Sequence, residues 1–399
     1  MADTAGYQDS NETLAKNTSS LTSGDIFLAV GFSAVVFVGV TGNVVLLLAS
    51  ALSRNLQTKT SHLIVNLSVS DLLVCAVQPF QVVSMLARNS RTLPEVLCQL
   101  TAALDIISTG SSVATIMLIA LNRCVLIIKP RHTYNRVFSS RNLVVMVTMS
   151  WLYPTVVLVL PLLIGHGRIG YNAHTRLCIC DFTHKNANTF VYLVVGSSSI
   201  AFGVTFFSYW LIFRYVKRSA LKSRSRSMPT EKRCRRHTEL VITKNLLCVI
   251  CCFVLCVTPF MGVLLSTLFF KGPSRHRVSS LIAYASLPFI INSCLTPFIY
   301  AWKHPHFRVV MACVLRRRWR DIPMPSPLLA RILDYNTGDR QTPQGISVEK
   351  GCESQSEELT IDTNMSPDLH GHTWISEEVE GVNTEISSDH PDEIRGDPG

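Results

Sequence analysis

The chain has 399 residues, of which 48% are hydrophobic and only 16% charged, with a formal net charge of +10. Soluble domains are closer to a quarter charged, so this balance excludes an ordinary water-soluble globule. The basic excess falls in short segments beside apolar runs, where orientation in a membrane accounts for it and nucleic acid need not be invoked.

Residues 1–24 are polar and carry glycosylation sequons at Asn11 and Asn17, as expected of a segment outside the cell. No signal peptide precedes the first apolar run, which starts at Ile26 and is too long to be one. Apolar runs then occur near 26–52, 61–87, 96–129, 140–164, 189–216, 240–270 and 278–302. Each is long enough to cross a bilayer as a helix, so the expected fold is all-α: a seven-transmembrane helix bundle over residues 25–304. An amphipathic segment, 305–320, is expected to lie on the membrane surface. Its Cys313 is a candidate for lipidation, although chance placement accounts for it equally well. Residues 321–399, rich in Ser, Thr, Asp, Glu, Gly and Pro, are expected to form a disordered acidic tail with many hydroxyls open to phosphorylation. The basic stretch from Lys217 to Arg236 sets that loop and the tail in the cytoplasm and the N-terminus outside.

The third run organises the rest. Cys98, Asp105, Ser112 and Arg123 fall within roughly 40° of one another at 100° per residue, and its ends stand about 37 Å apart. A polar stripe cannot face lipid, so this helix is expected to be the interior post of the bundle. Asn43, Asp71, Asn292, Ser293 and Thr296 are further polar residues at membrane depth. Asp71 with Ser112, Asn292, Ser293 and Thr296 oxygens would suit a small hard cation such as Na⁺; a water-filled polar network without an ion is the other reading. No other cofactor or metal is expected: Cys248, Cys251, Cys252 and Cys256 recur at helical steps, which suits packing better than zinc. No nucleophile–base pair or HExxH spacing suggests an enzyme. A channel or secondary transporter would also bury Asp71, Asp105 and Arg123, but usually with internal repeats, and none is seen.

In order and spacing, these motifs resemble the rhodopsin-like (class A) G-protein-coupled receptors over about residues 26–318. The resemblance rests on Asn43, Leu67 with Asp71, Cys98, Asn122-Arg123-Cys124, Trp151, Tyr209, Phe253, Pro259, and Pro297 with Tyr300. Within the class, Asn122-Arg123, the run Lys129 to Ser139 and Cys178-Ile-Cys180-Asp-Phe182 look most like the branch of melatonin receptors, the medium-chain fatty acid receptor and the insect Moody and Trapped-in-endoderm receptors. The resemblance implies an extracellular ligand between the outer helix halves, a heterotrimeric G protein at the inner face, and kinases and arrestin at the tail of a plasma-membrane receptor.

It also implies residue roles. Pro259 kinks span six into a lever, and Glu239 faces Arg123 in a lock that holds the inactive state. Asn122, Tyr209, Phe253, Pro297 and Tyr300 belong to the same activation machinery. Cys98 is expected to bond Cys180 rather than Cys178, because relatives place an aromatic two residues after the bonded cysteine, as Phe182 stands here. Ligand contacts fall on Asp105, Ser108, Ser197, Phe260, Phe289 and His184. The branch suggests a lipid-like acid or an indole, whereas Asp105 occupies the place of the amine receptors' salt-bridging carboxylate and favours a cation. Departures from the family pattern are Asn122 for its usual Asp, Thr296 for its usual Asn, Val257 for a span-six tryptophan, Ala201 for a span-five proline and Arg91 for an outer-loop tryptophan.

Overall fold

A computed structural model describes residues 22–86, 93–165, 167–172, 175–182, 186–223, 230–270, 273–303 and 305–337. Side chains within 219–246, at 249, 273–277, 279, 303, 305 and 334–337 are outside the description, as are Asn11, Asn17, Arg91, His184, the Glu239 side chain and the tail from 338.

Seven long helices follow the seven apolar runs, because a helix alone can satisfy its own backbone in hydrocarbon. They are span one, Ser23–Leu52; span two, Lys59–Leu86; span three, Glu95–Ile128; span four, Ser140–Leu163; span five, Ala187–Ser223; span six, Thr230–Ser266; and span seven, Pro273–Lys303. Among the described residues six are long and apolar enough to cross a membrane, and span six contributes the shorter apolar stretch Ile250–Ser266. Span one opens with a capping box. Thr22 Oγ1 accepts from Asp25 N at 3.2 Å, and Asp25 Oδ2 accepts from Thr22 N at 3.0 Å.

Proline, which cannot donate a backbone hydrogen bond, shapes the spans. Span four runs as an α-helix to Tyr153, winds through a π-helical turn at Pro154–Val159, and ends in one α-turn, Leu160–Leu163. Pro259 lies inside span six, and Pro288 and Pro297 inside span seven. Two glycines meet these prolines across helix pairs. A Cβ on Gly42 would come within 2.6 Å of Pro297 Cγ, and one on Gly110 within 2.5 Å of Pro154 Cβ. Only glycine allows so close an approach.

Span three packs against spans two, four, five and six and against the outer loop, which makes it the expected central post. A large apolar cluster fills the inner half, with Leu46, Leu63, Leu67, Ile119, Phe253 and Tyr300 at its centre. The outer loop between spans four and five is a hairpin, β1 (Ile169–Asn172) against β2 (Leu177–Cys180), with Tyr171 opposite Cys178 and Ile169 opposite Cys180.

After span seven, the surface helix Pro305–Leu315 buries Phe307, Val310, Met311 and Val314 beneath spans one and seven. The chain beyond departs from the expectation of disorder from 321. A 3₁₀ turn, Trp319–Asp321, leads into an extended strap and a further helix, Pro327–Thr337. The strap pairs with the first inner loop: Arg54 N donates to Met324 O at 2.9 Å, Ser326 N to Leu52 O at 2.8 Å, and Ser53 Oγ to Pro323 O at 2.9 Å. Ile322 and Leu329 are buried in the inner cluster. Burial of these two apolar side chains and satisfaction of an exposed backbone edge order a segment whose composition alone looks unfoldable.

Candidate functional site: an outer cavity over a polar inner network

The outer end of the bundle is closed by the hairpin. Cys98 at the top of span three is bonded to Cys178, with Cα atoms 5.1 Å apart, not to Cys180 as the sequence suggested. Cys178 and Cys180 lie on one face of β2, about 6.7 Å apart along the strand, so only one can reach Cys98. Gln81 of span two selects it, accepting from Cys178 N and donating to Cys178 O, both at 2.9 Å. Cys180 falls one helical turn deeper, in an apolar cluster with Ala102, Phe182 and Phe190. Burial, and secondarily the neighbouring Asp181 charge, pushes its thiol up to about 12. Arg176 at the hairpin turn donates to Asp25 at 3.0 Å and ties the loop to span one.

Beneath the hairpin lies a cavity of about 570 Å³, large enough for a drug-sized ligand. Its walls are overwhelmingly apolar, and Asp105, Gln78, Gln81, Ser197 and Ser198 are among its few polar groups. Asp105 Oδ1 accepts from Gln78 Nε2 at 3.3 Å, and among the described residues no cation pairs with it. Phe260 and Phe289 stack at 4.6 Å and line the same space. Ser197 lines it while donating to Val194 O at 3.1 Å. Ser108, also expected in the pocket, is fully buried away from its lining, and His184 lies outside the described residues. Gln78 is the contact the sequence reading missed. It stands seven residues from Asp71, two turns along the same stripe of span two, and that spacing was the available signal.

Two turns of span three below Asp105, Asp71 is wholly buried. Ser112 Oγ donates to its Oδ1 at 3.4 Å, and the Ser293 and Thr296 hydroxyls close in from span seven. A small cavity of about 10 Å³ beside it is lined by Asp71, Ser112, Asn292 and Ser293 among others, which is room for one water-sized particle. Asn43 donates to Gly39 O at 2.9 Å and Ser293 O at 2.8 Å, joining span one to span seven. Trp151 Nε1 donates to Asn66 Oδ1 at 2.9 Å, and Asn66 donates to Thr115 at 2.7 Å, joining spans two, three and four.

At the inner end, Asn122 Oδ1 accepts from Thr60 Oγ1 at 2.8 Å, and its amide donates to Tyr134 OH at 3.3 Å. Tyr134 belongs to the inner-loop helix Arg131–Val137 and carries Lys59 over its ring at 5.0 Å. The neighbouring Arg123 is buried within electrostatic reach of Tyr209 in span five and Tyr300 in span seven. Phe253 of span six packs on Phe202 at 5.8 Å, six residues below Pro259. The structure thus gathers Asn122, Arg123, Tyr209 and Tyr300 at one end, while the Glu239 side chain lies outside the described residues.

The model of the "7 transmembrane receptor (rhodopsin family)" matches residues 42–300. The chain belongs to the rhodopsin family of seven-transmembrane receptors. Membership of that family makes it a receptor rather than an enzyme. The receptor is 27% identical over 294 residues to "Rhodopsin, GQ-coupled" of Mizuhopecten yessoensis, covering 70% of this chain and 58% of that one. It is 35% identical over 211 residues to "G-protein coupled receptor 84" of Bos taurus, covering 49% and 48%, so it spans about half the length of these two relatives. Identity to "5-hydroxytryptamine receptor 4" of Homo sapiens is 25% over 325 residues, covering 74% and 81%. Squid rhodopsin shares the fold, with a TM-score of 0.64 at 19% identity over 81% of this receptor and 93% of that chain.

Proposed function

We propose that the receptor binds an extracellular cationic small molecule or peptide amine in the outer cavity and activates a heterotrimeric G protein at its inner face. The observation that carries this reading is Asp105, a carboxylate in an apolar cavity with one amide donor and no described cation. A desolvated carboxylate is costly until a cation pairs with it, so a positively charged ligand gains more here than a neutral one and an acid is repelled. The similarity to a 5-hydroxytryptamine receptor agrees with an amine; the branch resemblance to receptors of acids and uncharged indoles points the other way and is outweighed by this charge.

Binding favours one of two bundle arrangements, and the shift is carried inward by span six, with Phe253 below Pro259, and by span seven with Pro297. Asp71, Ser112, Ser293 and Asn292, with room for one small particle, fit an allosteric Na⁺, which would weight the inactive arrangement. The basic inner loops support an orientation with the N-terminus outside a plasma membrane and the tail, with its phosphorylatable hydroxyls, toward kinases and arrestin.

The test is a ligand screen on the expressed receptor with Asp105→Asn alongside. A cationic agonist should lose about a hundredfold in potency or more in the variant, on the order of 3 kcal/mol, at unchanged surface expression. Activation by a low concentration of a carboxylate ligand, with Asp105→Asn no worse, overturns the reading.

A further inference from the structure

The cavity under the hairpin does not end below Asp105. Its lining continues down span three through Gly110, Val113, Ala114 and Met117, about 18 Å beyond Asp105 at 1.5 Å per residue. The facing wall is made of Val145, Met149 and Tyr153 of span four and Ile200 of span five. These four side chains are 43–69% exposed, so this stretch is open to the surrounding hydrocarbon. The cause is visible in span four. Gly110 lets Pro154 close on span three, and span five meets span four chiefly at the π-helical turn Pro154–Val159. Below that wedge, the inner half of span four stands away from span five and leaves a lateral groove. One end holds a carboxylate; the other is walled by Ala, Val, Met and Ile and faces the lipid.

Building on the cationic reading above, we propose that this groove holds the aliphatic tail of an amphiphile whose positively charged head pairs with Asp105. Complementarity of charge fixes the head at the carboxylate end. The groove's opening to the bilayer fixes the tail, since a chain leaving Asp105 along span three meets walls that are apolar apart from the Thr109, Ser150 and Tyr153 hydroxyls and can enter sideways from the membrane. A short amine would fill the head end alone.

The test uses the full-length receptor in lipid nanodiscs and primary n-alkylamines from butylamine to dodecylamine, with dodecanol as the uncharged probe. Thermal unfolding and G-protein activation are read together. Transfer of a methylene from water to hydrocarbon contributes about fourfold. Partitioning into the bilayer supplies that gain in every variant, so the decisive quantity is its change on filling the groove. Dodecylamine should act at concentrations at least tenfold lower in wild type than in Ala114→Phe or Ile200→Trp, with butylamine equally effective in all three. Two variants on different walls guard against one that fails to fold. If both keep the wild-type dependence on chain length, the tail lies in bulk lipid and the proposal is overturned. If dodecanol matches dodecylamine in wild type while Ala114→Phe weakens both, the tail site stands and it is the Asp105 reading that fails.

Discussion

The outer and inner ends of the bundle are held by opposite kinds of chemistry. Outside, a disulfide, a two-way amide clamp on Cys178 and the Arg176–Asp25 ion pair fix the hairpin over a large, mostly apolar space. Inside, Asn66, Asn122, Thr60, Thr115, Tyr134 and Trp151 join four elements by hydrogen bonds between uncharged groups. The outer end is rigid around an opening. The inner end is closed by bonds each worth about 1 kcal/mol, which a shifted helix can exchange for others. The proposed function needs this asymmetry: a preformed site for a ligand and a partner surface poised to rearrange.

The largest effect should come from cutting the outer restraint. Cys178→Ser removes a cross-link worth about 2–5 kcal/mol and should abolish surface expression or ligand binding, whereas Cys180→Ser should retain both. Loss of both functions in Cys180→Ser with Cys178→Ser intact would reverse the assignment.

Next is the inner end. Asn122→Ala strands the Thr60 hydroxyl and loosens Tyr134, for a cost of about 1–3 kcal/mol read as a lower unfolding midpoint. Basal signalling should change in the same variant, because the loop helix carrying Tyr134 borders the proposed G-protein face; a shifted midpoint with unaltered basal activity would make Asn122 purely structural. Smaller still is Asp25→Asn. It breaks the partly exposed pair with Arg176 and should cost no more than about 1 kcal/mol, less in high salt.

The smallest effect is a null one at Cys180. Burial pushes its thiol up to about 12, which disfavours the thiolate at pH 8, where iodoacetamide should label it only after unfolding. Prompt labelling of the folded receptor would show that the hairpin opens.

Most of this architecture is legible in the chain because the bilayer admits few solutions. Apolar runs near 30 residues specify the spans, and the stripe from Cys98 to Arg123 specifies which span is central. The cysteine choice was not legible. Residues 178 and 180 share a strand face, and Gln81, nearly a hundred residues away, decides between them. The strap after residue 321 was hidden for a related reason. Its Leu328-Leu329 and Ile332-Leu333 pairs have helical spacing, but the partner that orders it is the backbone at Leu52–Arg54. The lateral groove escaped because it depends on how Pro154 meets Gly110, a contact between two spans that neither local pattern announces.

The pairing of Ser53 with Pro325 decides where this receptor tolerates being shortened. Ending the chain after Thr337 leaves the strap and the helix it leads to in place. Ending it after Leu315 removes the strand that covers the first inner loop and bares backbone donors and acceptors beside an apolar patch formerly sealed by Ile322 and Leu329. Such an edge recruits whatever extended segment is nearest, including that of a neighbouring copy. The shorter product should therefore elute as higher-order species on size exclusion, where the longer one elutes as a single peak.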